Sequence, residues 1–366
     1  NLYDGATTVS AGTLFINGNN IGATGAVSVA SGTTLGGNGT VGGNVTLNSA
    51  TLGSAGETLT LANNLTTNGA SNIAATSIVN VGGITTVSTG TLTLNGTLGG
   101  SVLVNSGATL VGNATLSGAT TLSNGATLGT AGNTLALGST LAITGTNSLV
   151  SGATVNVADT TTISSGIFSV NGTLGGTGAK VVGNTATLGG IGTVGGPTTI
   201  QIGGILAPGN SPGLMTFSDN LTLAGTTVME INGTGRGTTY DAVNLTGGNT
   251  KALTYGGTLT MTFDAPFIAG VYDLFSLGIV VQSGDFASVG AIGSNLSSFS
   301  GLVVTTGTGW VANLVDTQIT PATWFLSFNN ASGDLTIAPI PEPSSYAAWA
   351  GLVMVGCVGL RRRRRA

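Results

Sequence analysis

Thr91-Leu92-Thr93-Leu94-Asn95-Gly96-Thr97-Leu98-Gly99-Gly100 carries the two signals that decide the fold. In its first four residues threonine and leucine alternate, which puts the leucines on one side of a strand and the threonines on the other. Asn95-Gly96 then supplies residues that accept a positive φ, as a tight turn requires. The same alternation appears in Ser101-Val-Leu-Val104 and Thr134-Leu-Ala-Leu137, and Asn-Gly pairs punctuate the chain at 17–18, 38–39, 68–69, 124–125 and 171–172. This half of the protein reads as many short strands joined by tight turns.

The stretch also repeats. Asn95–Gly100 recurs unchanged at Asn171–Gly176, and Gly36-Gly-Asn-Gly-Thr-Val-Gly-Gly43 recurs with one change at Gly189–Gly196. Copies starting at 38, 95, 171 and 191 are separated by 57, 76 and 20 residues, close to multiples of 19. A unit of that length cannot bury its own leucines and valines, but units stacked about 4.8 Å apart share one core and pair each other's strands. The predicted fold is all-β. Residues 1–249 are expected to form a right-handed parallel β-helix of about 12 coils, a rod about 55 to 60 Å long. Only Tyr3, Phe15 and Phe168 are aromatic before residue 200, which suits a narrow aliphatic core. A β-sandwich is the competing architecture.

Composition narrows the function. The 366 residues include 64 glycines and no histidine; 5% are charged, yet 41% are hydrophobic. A disordered chain would be more charged and less apolar, and collagen would need glycine at every third position. Before residue 341 there are three basic side chains, Lys180, Arg236 and Lys251, against 11 acidic ones, so a nucleic-acid partner is not expected. The single cysteine, Cys357, excludes a disulfide framework. Convergent ionisable groups are scarce, and no catalytic, cofactor-binding or metal site is predicted.

Three sets of residues bear on that expectation. Asp219, Glu230 and Asp241 approach one another in sequence, and facing carboxylates are what an alternative function, a glycosidase or polysaccharide lyase on a β-helix, would need. Asp264, Asp273, Asp285, Asp316 and Asp334 lack any calcium-loop spacing and read as turn or solvent-facing residues. Outward threonines such as Thr91, Thr93, Thr258 and Thr260 would make a carbohydrate- or ice-binding array if they lay in register on one face.

From about 250 to 339 aromatic residues become common, among them Tyr255, Phe263, Phe275, Trp310, Trp324 and Phe328. Strands are expected at 258–263, 301–305, 323–328 and 334–338 in a compact β-rich module that caps the solenoid. Ala338-Pro339-Ile340 is expected to be a spacer.

The last 27 residues differ again. Pro341-Glu342-Pro343 precedes an uncharged run, residues 344–360, and then Arg361, Arg362, Arg363, Arg364 and Arg365. As a helix the run would be about 25 Å long, slightly short of a hydrocarbon core of about 30 Å. The arginines would hold that end in the cytoplasm and place the rest of the chain outside. This three-part tail resembles the PEP-CTERM sorting signal of Gram-negative bacteria, with Ile340 where valine is common. The resemblance implies that exosortase, a membrane-embedded cysteine protease and transpeptidase-like enzyme, reads Pro341, Glu342 and Pro343, while the helix and arginines hold the substrate in the inner membrane. An export signal is expected upstream of Asn1, where no n-region or h-region is seen.

A second resemblance covers 203–248. Gly204-Ile-Leu-Ala-Pro-Gly-Asn-Ser-Pro-Gly213, Leu221-Thr-Leu-Ala-Gly225, Val228-Met-Glu-Ile231 and Tyr240-Asp-Ala-Val-Asn-Leu-Thr-Gly247 are similar to the passenger region of autotransporters and to autotransporter-associated β-strand repeats. Asp241 falls on the aspartate of that pattern, and its expected role is a turn or capping acceptor. Together the two resemblances imply an exported, non-enzymatic surface or extracellular-matrix protein. Its partners would be exosortase, the export machinery, the inner membrane in transit, and exopolysaccharide or envelope glycans.

Overall fold

A computed structural model describes residues 3–294, 296–305, 308–316 and 323–340. All of their regular secondary structure is β. A 14-stranded sheet runs from Thr13–Phe15 to Ser288–Ile292, and every pairing in it is parallel. A 25-stranded sheet holds two further files of parallel strands, joined where Ile78–Val87 and Thr97–Val104 pass from one file to the next without a break. The chain therefore winds around three faces as a parallel β-solenoid, not a β-sandwich. Of the 14 strands stacked on the first face, the 12 from Thr13–Phe15 to Thr226–Glu230 lie within residues 1–249, where about 12 coils were expected.

The decapeptide at 91–100 makes most of one coil. Thr91–Leu94 lies on the first face, paired with Ala70–Ile73 on one side and Thr109–Gly112 on the other. Asn95-Gly96 turns the corner, and Thr97–Val104 supplies the second face and then the third. Both turning glycines are required by the coil beneath. A Cβ on Gly96 would collide with the carbonyl of Ala74, and one on Gly100, at φ 86°, with that of Val81. Gly172 and Gly176 meet the carbonyls of Ala153 and Val157 in the same way. All four copies of the repeat fall on the second face, with Val41, Leu98, Leu174 and Val194 pointing inward.

Register gives the core its columns. On the first face Leu92, Leu110, Leu128, Leu149 and Val170 stack directly and are fully buried. The third face departs from simple alternation. In Thr161-Thr-Ile163 and Thr198-Thr-Ile200 the first threonine faces inward, as do Thr85 and Thr120. Threonine nearly matches valine in shape, so it fits the column, but the hydroxyls of Thr85, Thr120 and Thr161 find no partner there.

Coil length drifts around the expected 19 to 20. Thr85 sits over Val102, but Thr198 sits over Leu221 and Leu221 over Leu253. The change of composition near 250 does not end the stack: Ala252–Tyr255, Thr258–Thr262, Val281–Gly284 and Ser288–Ile292 continue the parallel ladders. The cap is an antiparallel five-stranded sheet, with Gly270–Asp273 at one edge, then Asp334–Pro339, Thr323–Asn329, Gly309–Asp316 and Leu296–Thr305. Aromatic contacts fasten it. Tyr255 lies 5.4 Å from Phe275, 5.2 Å from Phe286 and 5.7 Å from Phe328, between ring centroids, and Trp310 stacks on Phe328. The expected spacer belongs to this sheet: Ala338 and Pro339 pair with Phe325 and Trp324, and Ile340 N–H donates to Thr323. Proline is tolerated because Gly270–Asp273 stops pairing at Ile337, so no ladder bond is lost at Pro339.

The corner contacts lead to a paired comparison. Gly107 has φ 73° but open space around its would-be Cβ, so Gly107→Ala should cost about 1 kcal/mol from backbone strain alone. Gly100→Ala adds the collision with Val81 and should cost about 2 kcal/mol more. Urea midpoints at unchanged slope would measure both; equal losses would show that the coils are not close-packed at this corner.

Candidate functional site

The turn Pro208-Gly-Asn-Ser-Pro-Gly213 leaves the first face after Ile205–Pro208 and returns to the second at Leu214–Phe217. Gly209 is tied to Gly190 by two backbone hydrogen bonds, of 2.8 and 3.1 Å, which fold the turn over the neighbouring coil. Asn210 Nδ2 donates to Asn171 Oδ1 at 2.9 Å. Ser211 adopts φ 79°, which favours glycine, and its hydroxyl donates to Glu230 Oε2 at 2.8 Å.

Behind the turn lies Asp241, only 2% exposed. Its Oδ1 accepts the N–H of Gly213 at 2.7 Å and its Oδ2 accepts that of Glu230 at 2.8 Å. Each oxygen thus holds a different segment, which is the capping role expected from sequence. Burial pushes this carboxyl up to about 7, against the two backbone donors and with a smaller upward push from the nearby Glu230. Of Asp219, Glu230 and Asp241, the last two come together here. Asp219 stands apart in an ion pair with Lys251, 2.9 Å away.

Between the turn and the first face is a groove of about 270 Å³. Its floor is low because Ser169, Gly189 and Ala207 follow one another in register. Ile167 and Val228 flank it, and Glu230 stands at its edge.

A second buried ionisable group, Lys180, is not marked by any motif in the sequence. Lys180 occupies an inward position of the third face between Thr161 and Thr198, where its ammonium donates to the carbonyls of Gly175, Gly176 and Gly178 at 3.2, 3.1 and 2.7 Å. Burial lowers it to about 8, partly offset by Asp219. Only the parity of Lys180-Val-Val182 hints at this, and a charged residue at that place would ordinarily be assigned outward. Ser211 was equally hidden, because a residue before proline normally favours extended backbone.

The calcium candidates are dispersed. Asp273 pairs with Arg236 at 3.1 Å and lies across the antiparallel ladder from Asp334, Asp285 accepts from Asn330, and Asp264 accepts from Ser294 N–H. Among the described residues no three His, Cys, Asp or Glu side chains group to hold a metal. Outward threonines do stack in register, but in separate files on all three faces and not on one, as in Thr91, Thr109 and Thr127; Thr154, Thr173 and Thr193; and Thr46, Thr66 and Thr86.

Pro341, Glu342, Pro343, the apolar run 344–360 and Arg361–Arg365 lie outside the described residues. Among those described, no helix is long and apolar enough to cross a membrane. Set against known protein families and curated proteins, the chain matches none.

Two opposite pH dependences should follow. The fold holds the Asp241 proton more tightly than the unfolded chain, so that stabilisation is complete below about pH 4 and is lost as pH rises through about 7. The Lys180 contribution has the other sign, present above its ordinary value of 10.5 and lost as pH falls through about 8. Unfolding free energies measured across pH should show the first slope flattened in Asp241→Asn and the second in Lys180→Met.

Proposed function

We propose that the protein is a non-enzymatic structural or adhesive component of the bacterial surface or extracellular matrix. The observation that carries this reading is the long parallel solenoid with almost uncharged faces, which offers reach and a repetitive hydroxyl-bearing surface. In this proposal the winding is right-handed, as parallel crossovers nearly always are, and 203–248 corresponds to the passenger-like signature. Delivery depends on the tail. Pro341, Glu342 and Pro343 would be the element read by exosortase, with 344–360 and Arg361–Arg365 holding an inner-membrane intermediate until processing. Exopolysaccharide or envelope glycans would retain the mature protein.

The second reading is a carbohydrate-active enzyme, and the presence of both Glu230 and Asp241 at one groove is what favours it. Both Asp241 oxygens are already engaged by backbone N–H groups, however, and hydrolysis ordinarily needs two carboxylates facing the sugar.

Fractionation of the native host with mass spectrometry of the C-terminus tests the proposal. The wild type should yield a surface form ending near Pro341, and replacing Pro341, Glu342 and Pro343 by alanine should leave the full-length chain in the inner membrane. A wild-type protein that keeps Arg365 would contradict processing.

A further inference from the structure

We propose that the groove beside Glu230 is a binding subsite for an extended neutral glycan; this rests on the reading of the protein as a matrix component and names the chemistry of its partner. Ser169, Gly189 and Ala207 remove side-chain bulk from three successive coils, and the turn at 208–213 raises a wall beside them. The resulting hollow has apolar flanks, Ile167 and Val228, suited to the C–H faces of a sugar ring. Glu230 is suited to the hydroxyls, because a carboxylate accepts strong charge-assisted hydrogen bonds. Ser211 is held in an unfavourable backbone region with its hydroxyl on Glu230, so the acceptor is already oriented at the groove edge.

Charge selects against anionic chains. No lysine or arginine lines the groove, and Glu230 would repel uronates, sulfates and phosphates. The approach favours a chain over a lone sugar: Thr91, Thr109, Thr127, Ser148 and Ser169 form one outward file that ends in the groove. Hydroxyl donors and acceptors repeated at the strand spacing of about 4.8 Å suit a polymer of repeating hydroxyls. Asp241 lies at the back with both oxygens on backbone N–H groups, so one carboxylate is presented to the sugar and the assigned role is binding, not cleavage.

Titration calorimetry on the purified full chain tests this, with cellohexaose and laminarihexaose as neutral probes and hexagalacturonate as the anionic one. At least one neutral probe should bind more tightly than hexagalacturonate. Glu230→Gln should weaken it about tenfold or more, and Ala207→Leu, which fills the floor, should abolish it, each variant keeping the wild-type circular dichroism. Absence of neutral binding, equal or tighter binding of hexagalacturonate, or unchanged affinity in either folded variant would overturn the proposal. So would release of shorter sugars, lost in Glu230→Gln, which would make the groove catalytic. Surface delivery is read separately by the C-terminal mass, so failure of glycan binding leaves that result standing, and the reverse.

Discussion

Every coil depends on the hydrogen-bonded ladder to the coils above and below. A parallel strand cannot satisfy its own N–H and C=O groups, and a coil of about 20 residues cannot enclose its own side chains. Stacking solves both problems together. It also explains the composition: glycine stands where one turn presses on the carbonyls beneath, as at Gly96 and Gly100, and leucine or valine recurs in buried files. Because register preserves parity, a residue facing inward in one coil is covered by one facing inward in the next.

A ladder has ends, and here the wide end is closed by different physics. As the coils lengthen beyond Leu221 the aliphatic columns give way to Tyr255, Phe275 and Phe286, which pack against Phe328 of the antiparallel sheet. Large rings fill a cross-section that leucine columns would leave open. The scarce charges serve the same irregular region. Arg236, in the inserted loop before Tyr240, donates to Asn244, to the carbonyls of Val243 and Asp273, and to the Asp273 carboxylate. Asp241 clasps the turn at 213 to the strand at 230. Where regular stacking no longer supplies partners, side-chain hydrogen bonds do, and the groove lies at that transition.

Much of the solenoid was legible in the chain, because its instructions are local and repeated. Thr-Leu-Thr-Leu specifies a half-buried strand wherever it occurs, Asn-Gly specifies a turn, and recurrence at multiples of a short unit specifies stacking. The capping role of Asp241 was also legible, since it follows from a motif. Parity was less secure: Thr161-Thr-Ile163 shows two threonines and a single apolar residue, and nothing local says that the first threonine belongs inside. Ala338-Pro339-Ile340 looked like a linker because the strand that accepts it, Thr323–Asn329, pairs with it only across a turn.

By itself the sequence determined the class of architecture, the positions of the corners, the near-absence of charge and the distinct composition of the last 27 residues, all of which depend on residues close together in the chain. Only the tertiary structure decided that there are three faces, that Lys180 lies inside a cage of carbonyls, and that Ser169, Gly189 and Ala207 form a floor beneath a turn anchored through Glu230. Those arrangements join residues one or more coils apart. Their relative placement is set by the accumulated register of the stack, which no single stretch encodes.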